Sequence, residues 1–164
     1  MKISRKLIIC QLLLLFAANI HSQDFRFAVV TDIHLSATNA GPTEDLQRSV
    51  DHINATDSLD FVLVTGDLTD EGDRANLMKT KSILDQLKLK YYIIPGNHET
   101  KWSESGMTDF ANIFGGERFQ FDHNGIRFLG FNSGPLMRMA YGHVAPQDIS
   151  WARRKLRKQE KIIK

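Results

Sequence analysis

The chain is poor in cysteine, and this limits the chemistry that it can support. It has 164 residues and one cysteine, Cys10, which lies in an apolar N-terminal segment. A single thiol excludes an internal disulfide and a metal site built from several thiolates. A metal site would therefore have to use oxygen and nitrogen ligands. Internal repeats, low-complexity segments and domain linkers are also absent, and the length is typical of one domain with a core.

The N-terminus has the residue order of a secretory signal peptide. Basic residues precede an apolar run from Leu7 to Ile20, and the small residue Ser22 stands before a polar stretch. This order predicts that residues 1–22 are a cleaved signal peptide and that the protein is exported, to the periplasm or the medium. We expect no membrane span after cleavage, because the apolar run is shorter than the ~20 residues that cross a bilayer. Cleavage would also remove Cys10.

The formal net charge is only +2, but the charge is unevenly distributed. Residues 23–152 carry eighteen acidic and eleven basic side chains, whereas residues 153–164 carry seven basic and one acidic. An acidic body suits a site that binds cations and argues against nucleic acid as a structural partner. The basic segment is typical of the solvated side of an amphipathic helix. Its alternative interpretation is a surface for acidic lipid or nucleic acid.

Apolar, β-branched runs alternate with helical patterns along the chain. They predict strands near 25–31, 61–65 and 91–94, and helices near 44–55, 74–88, 107–114 and after Pro146. A β-hairpin is predicted between residues 119 and 131, around an Asp-His-Asn-Gly turn. Repeated strand–helix units indicate an α/β fold with a mostly parallel sheet and helices packed on its faces.

Three polar segments directly follow the three predicted strands. They are Asp32-Ile33-His34, Gly66-Asp67-Leu68-Thr69-Asp70 and Gly96-Asn97-His98-Glu99. In parallel α/β sheets the carboxyl ends of the strands meet at one edge, where binding sites are built. Carboxylate, imidazole and amide oxygen are ligands that hard or borderline divalent metals prefer. Each segment alone is a weak signal, but together and in this order they predict a metal centre.

The residue types in these segments suggest how two ions would be held. Asp32 and His34 are two positions apart, so we expect both side chains on the same face of a continuing strand. The carboxylate of Asp67 has two oxygens, which can bridge a pair of ions ~3.5–4 Å apart. Asn97 offers a neutral amide oxygen as a further ligand. The adjacent His98 is expected to serve as a proton donor instead.

Asp70 follows Asp67 closely and is expected to hold His98 in one tautomer. A bridged metal pair lowers the pKa of a shared water and neutralises charge on a phosphoryl oxygen. The chemistry that needs such a pair is in-line attack of hydroxide on phosphorus. A cationic His98 beside the leaving oxygen would assist its departure.

With these motifs, the chain from about Phe25 to the final helix resembles the calcineurin-like metallophosphoesterase superfamily. The resemblance implies that Asp32, His34 and Asp67 bind a first metal ion and that Asp67 and Asn97 bind a second. It implies two divalent or mixed-valence ions, with Mn, Fe and Zn all open, and a phosphate-ester substrate. His98 would act on the leaving group or transition state. The fold implied is a β-sandwich flanked by helices, built from two βαβ-like halves.

The residue at position 70 bears on the branch of the superfamily. Purple acid phosphatases carry a tyrosine there, whereas this chain has Asp70. The chain is therefore more similar to the phosphodiesterase and phosphoprotein-phosphatase branches. Monoester or diester, and nucleotide, lipid or protein substrates all stay open, as does the oligomeric state.

The family pattern continues with a later histidine and a Gly-His-x-His segment, which we do not find. Gly142-His143 is followed by Val144-Ala145, without a second histidine. His123 in the predicted hairpin turn and His52 on a predicted helix are both expected to face solvent. We therefore expect residues 23–164 to be the N-terminal part of the domain, truncated after its first half. The expected function is a metal-dependent phosphoesterase, incomplete as given. The alternative is a non-catalytic remnant that still binds metal or phosphate.

Overall fold

The computed structural model describes residues 24–135 and 141–160, with the side chains of the last helix described as far as Arg157. The predicted signal peptide, residues 1–22, lies outside these ranges and stays a prediction. Among the described residues, no helix is both long enough and apolar enough to cross a bilayer.

The centre of the fold is a parallel three-stranded sheet, as the alternating pattern predicts. Its strands are β1 (Phe27–Val30), β2 (Phe61–Val64) and β3 (Tyr91–Ile93), in the spatial order β1-β2-β3. The register pairs Val30 with Val64, and Val64 with Ile93. The carboxyl ends of all three strands therefore lie level with one another, at one edge of the sheet.

Helices cover one face of this sheet. They are α1 (Gly41–Ala55), α2 (Arg74–Leu84) and α3 (Thr108–Phe114), and they bury Leu46, Val50, Ile53, Leu77, Ile83, Leu84 and Phe110. Val62 and Val64 of β2 belong to the same core. The regular part of α2 ends at Leu84 rather than at residue 88. After it the chain forms tighter turns, in which the N–H groups of Gln86 and Leu87 donate to carbonyls three residues back.

An antiparallel hairpin of β4 (Arg118–His123) and β5 (Ile126–Phe131) covers the opposite face. Asn124 and Gly125 have φ of 46° and 76°, as a tight two-residue hairpin turn requires. Aromatic rings pack between the hairpin and the sheet. The centroid of the Phe61 ring lies 4.9 Å from that of Phe121 and 5.1 Å from that of Phe128. The last helix, α4 (Pro146–Glu160), packs against β5. The mixed α/β class is confirmed, and the β-sandwich stays a prediction.

One histidine differs from expectation. His123 in the hairpin turn was expected to face solvent. Its Nε2 is instead buried, its ring packs 5.4 Å from Phe25 and 5.3 Å from Phe61, and Asp60 lies 3.5 Å away. The prediction is wrong because the turn folds back onto the amino-terminal ends of β1 and β2. His52, expected on a solvated helix face, is exposed.

Candidate metal centre

The first two polar segments remain paired after their strands end. The N–H of Asp32 donates to the carbonyl of Gly66 (3.2 Å), that of His34 to Asp67 (3.0 Å), and that of Leu35 to Leu68 (2.9 Å). The segments therefore run side by side beyond the sheet edge. This pairing gives the two loops fixed backbones, which a surface loop ordinarily lacks.

Three expected metal ligands have left-handed backbones. Asp32, His34 and Asp67 have φ of 55°, 53° and 52°. This conformation costs a residue with a side chain roughly 1–2 kcal/mol, and such strain concentrates at functional sites. Asp32 and His34 do come together, with His34 Nε2 3.9 Å from Asp32 Oδ1. They do so through left-handed turns rather than through the expected extension of the strand.

Side chains from all three loops converge at the sheet edge. One ligand atom each from His34, Asp67 and His98 lie within 4.8 Å of one another. Two imidazoles and a carboxylate at this spacing can hold a divalent ion. The imidazole rings of His34 and His98 meet edge to face, with centroids 4.6 Å apart. The donor set contains oxygen and nitrogen only, so it fits Mn, Fe or Zn.

Asp70 lies between the two imidazoles and contacts each differently. Its carboxylate Oδ1 is 3.2 Å from Nδ1 of His34, whereas its backbone carbonyl is 2.5 Å from Nδ1 of His98. A carbonyl oxygen can only accept, so in this contact Nδ1 of His98 carries a proton, and Nε2 is the ring nitrogen that this contact leaves free. The expected orientation of His98 by Asp70 stays a prediction, but the contact present uses the main chain rather than the side chain.

The second polar segment (residues 66–70) and the third (residues 96–99), called here the second and third loops, contact each other backbone to backbone. A Cβ placed on Gly66 would lie 2.2 Å from the nitrogen of Gly96, and one placed on Gly96 would lie 2.2 Å from Oδ1 of Asp67. Glycine is therefore required at both positions by close approach. The same Oδ1 of Asp67 accepts a hydrogen bond from the backbone N–H of His98 (3.0 Å). The carboxylate of Asp67 thus contacts the main chain of the third loop directly.

A cavity of about 520 Å³ opens beside these loops. Asp67, Asn97 and Lys101 are among the residues that line it. Asn97 therefore faces the same space as the carboxylate that is expected to bridge two ions. Lys101 brings a positive charge to the wall of this cavity, and this charge would attract an anion.

The sequence interpretation assigned no role to Glu99, although the structure buries it completely. It is 0% exposed, and its carboxylate accepts hydrogen bonds from the backbone N–H groups of Asp67, Leu68, Thr69 and Gly96. Burial raises the pKa of the Glu99 carboxyl, while the hydrogen bonds from Gly96 and Leu68 oppose that change. The charge at the fourth position of the third motif was the available signal, but three of the four amide partners lie about thirty positions away.

The comparisons with known proteins agree with this geometry. The family model described as calcineurin-like phosphoesterase matches residues 25–162. The chain therefore belongs to the calcineurin-like phosphoesterase family, as its motifs predict.

Three curated relatives are phosphodiesterases by name. A 3',5'-cyclic-nucleotide phosphodiesterase of Nostoc sp. is 24% identical over 76% of this chain and 48% of the relative. A probable cyclic nucleotide phosphodiesterase of Vesicomyosocius okutanii is 29% identical over 57% of this chain and 36% of the relative. A probable glycerophosphodiester phosphodiesterase of Arcobacter nitrofigilis is 28% identical over 60% and 37%. The chain thus spans about half the length of the first relative, and less of the others.

Proposed function

We propose that this protein supplies the metal-binding part of a phosphoesterase that hydrolyses phosphate mono- or diesters with two divalent or mixed-valence metal ions. The observation that carries the proposal is the convergence of His34, Asp67 and His98 within 4.8 Å. They reach one point from three separate loops, each placed at the carboxyl end of a parallel strand. In α/β folds this edge of the sheet is where ligand sites are built, and converging titratable side chains there are candidates for binding or catalysis.

The residues divide into two expected ligand sets. Asp32, His34 and Asp67 would hold one ion, and Asp67 with Asn97 would hold the other. When bound, the ions would supply a hydroxide nucleophile at neutral pH and neutralise charge on the phosphoryl group. The protein's own contribution is orientation, since the backbone N–H of His98 fixes Oδ1 of Asp67 in place.

His98 is proposed to donate a proton to the leaving oxygen. Its Nδ1 is held by the Asp70 carbonyl, so Nε2 is the atom available to substrate. Asp70 would therefore help to set the orientation of His98 through its main chain. Its carboxylate would act on His34, which lies 3.2 Å away.

Phosphodiesters are the first substrates to test, because each of the three relatives is named for one. The cavity that Asp67, Asn97 and Lys101 help to line is open to such an anion. The proposal includes export of the protein, on the predicted signal peptide, and a β-sandwich flanked by helices.

The test is a titration of the metal-free chain with Mn²⁺ by calorimetry, followed by hydrolysis of bis(4-nitrophenyl) phosphate. We expect two sites, and the Asp67→Asn variant should lose affinity at both because that carboxylate is shared. Asp57→Asn is the matched control, since Asp57 is an exposed carboxylate outside the three loops. Binding of one weak ion without hydrolysis would favour the remnant, and binding of none would refute the metal centre.

A further inference from the structure

Glu99 is a buried carboxylate that the proposed chemistry does not use. Its side chain is fully covered at 0% exposure, although charged side chains are rarely buried without a partner. The groups that surround its carboxylate are main-chain amides. Oε1 accepts from Leu68 (2.9 Å) and Thr69 (3.3 Å), and Oε2 accepts from Asp67 (3.0 Å) and Gly96 (2.9 Å).

The number of donors matches the acceptor capacity of an ionised carboxylate. Two oxygens offer about four lone-pair sites, and four backbone N–H groups point at them. Hydrogen bonds to a charged acceptor are stronger than neutral ones, which offsets the cost of burying the charge. A glutamine here would have one acceptor oxygen and would turn an N–H donor toward the remaining amides.

The contacts join distant parts of the chain rather than closing a local turn. Gly96 is three residues from Glu99, and that bond alone would be a local turn contact. The other three donors are 30–32 residues away, in the second loop. The link also runs in reverse, because Oδ1 of Asp67 accepts from the backbone N–H of His98. Each of the two loops therefore supplies a carboxylate that binds the main chain of the other.

We propose that Glu99 is a positioning residue of the metal centre, which fixes the second loop against the third so that Asp67, Asn97 and His98 are aligned before any ion binds. This inference rests on the proposed function. Glu99 lies beneath the loops and is not itself a ligand, since both of its oxygens are occupied by amides. Without these contacts the second loop would have to become ordered when the metal binds, and the loss of conformational entropy would lower the metal affinity.

Removal of this carboxylate should leave the chain folded, because the two loops have another connection. The Ser103 hydroxyl donates to the carbonyl of Gly72 (3.0 Å), and the N–H of Gly72 donates to the Thr69 hydroxyl (2.7 Å). Glu99 is also not a member of the hydrophobic core of the helix-covered face, which Leu68 joins through its side chain. Loss of loop alignment can therefore be measured apart from loss of the fold.

The experiment compares Glu99→Gln with Glu99→Asp, which keeps the charge on a side chain shorter by one methylene. The first readout is hydrogen exchange by NMR at the amides of Asp67, Leu68, Thr69 and Gly96 in the metal-free chain. In Glu99→Gln these four amides should exchange at least about tenfold faster, whereas exchange at amides in the core strands should change only as far as global stability changes.

The second readout is Mn²⁺ affinity by calorimetry. Glu99→Gln should bind about 10–100-fold more weakly, the range seen when partners of metal ligands are changed, and Glu99→Asp should fall between it and the unmodified chain. Leu84→Ala is the matched control for stability, because Leu84 is 0% exposed in the core and belongs to helix α2 rather than to any of the three loops. That variant should unfold more easily but bind Mn²⁺ with unchanged affinity.

The two readouts keep this inference distinct from the proposed function. If the unmodified chain binds no Mn²⁺, the metal centre is refuted, and the positioning role with it, even where exchange at the four amides responds to Glu99→Gln. If the chain binds Mn²⁺ and Glu99→Gln matches it in both exchange and affinity, the positioning role alone is overturned. The positioning role is also overturned if Leu84→Ala weakens Mn²⁺ binding as much as Glu99→Gln does.

Discussion

Replacement of Gly66 by alanine tests whether the metal-binding loops are held by direct backbone contact. The added Cβ would lie 2.2 Å from the nitrogen and 2.4 Å from the Cα of Gly96, and 2.7 Å from the carbonyl carbon of Pro95. Carbon atoms pack at about 3.5–4.0 Å, so the third loop would have to move by more than 1 Å, a rough figure from that spacing. Every contacted atom is main chain, and none can swing aside as a side chain does.

The expected cost has two parts. Gly66 has a φ of +98°, and a side chain in left-handed conformation costs roughly 1–2 kcal/mol. Overpacking against a fixed backbone adds about 1–3 kcal/mol. Alanine also lowers the conformational entropy of the unfolded chain, and this effect stabilises the folded state by about 0.4–1 kcal/mol. Gly66→Ala should therefore lower the free energy of unfolding by about 1–5 kcal/mol, from the sum of these terms.

Gly115→Ala is the control that separates the two parts. Gly115 has a comparable φ of +86°, but a Cβ there would meet no atom of the described chain within 4 Å. The conformational terms are similar in both variants, so the difference between them should be the overpacking term of about 1–3 kcal/mol. Urea unfolding, followed by circular dichroism with the slope m unchanged, measures both values. Equal losses in the two variants would refute the backbone contact.

Three further predictions use the same geometry. Gly96→Ala should weaken Mn²⁺ binding more than Gly66→Ala does, because the added Cβ would lie 2.2 Å from Oδ1 of Asp67. Equal Mn²⁺ affinities of the two variants, measured by calorimetry, would contradict this. Phe61→Ala should lower the free energy of unfolding by about 3–5 kcal/mol, since Phe61 is 2% exposed between the sheet and the hairpin, and urea unfolding measures the loss. Burial and the hydrogen bond to Asp85 raise the pKa of Tyr91 above its ordinary value. The folded state therefore favours the neutral phenol. This contribution to stability is fully present below about pH 10, the ordinary tyrosine pKa, and it is lost as the pH rises further, because Tyr91 then ionises more easily in the unfolded chain. Between neutral and strongly alkaline pH, the free energy of unfolding of Tyr91→Phe should therefore fall less than that of the unmodified chain. Urea unfolding at a series of pH values measures this, and parallel pH profiles of the two chains would rule out a role for Tyr91.

The sequence was sufficient to predict the elements because each has a local cause. Alternation of Phe61 and Val62 places one side chain toward the hairpin and the next toward the helices. Helical spacing of Leu46, Val50 and Ile53 predicts the buried face of α1. The polar segments could then be placed at strand ends, and the family followed from their order. These inferences depend only on residues close together in the sequence and on the periods of the helix, about 3.6 residues, and of the strand, about 2 residues.

The details of the site have causes that lie far apart in the sequence. Asp67 takes a left-handed backbone because its N–H must reach Glu99 and its carbonyl must reach His34, thirty or more residues away in opposite directions. No local pattern specifies those partners, and local propensity disfavours that backbone. The importance of Glu99 was missed for the same reason, since its charge is visible in sequence while its four amide partners are not. If the proposed positioning role is correct, the main chain of the two loops, joined by Glu99 and Asp67, carries the alignment of the expected ligands.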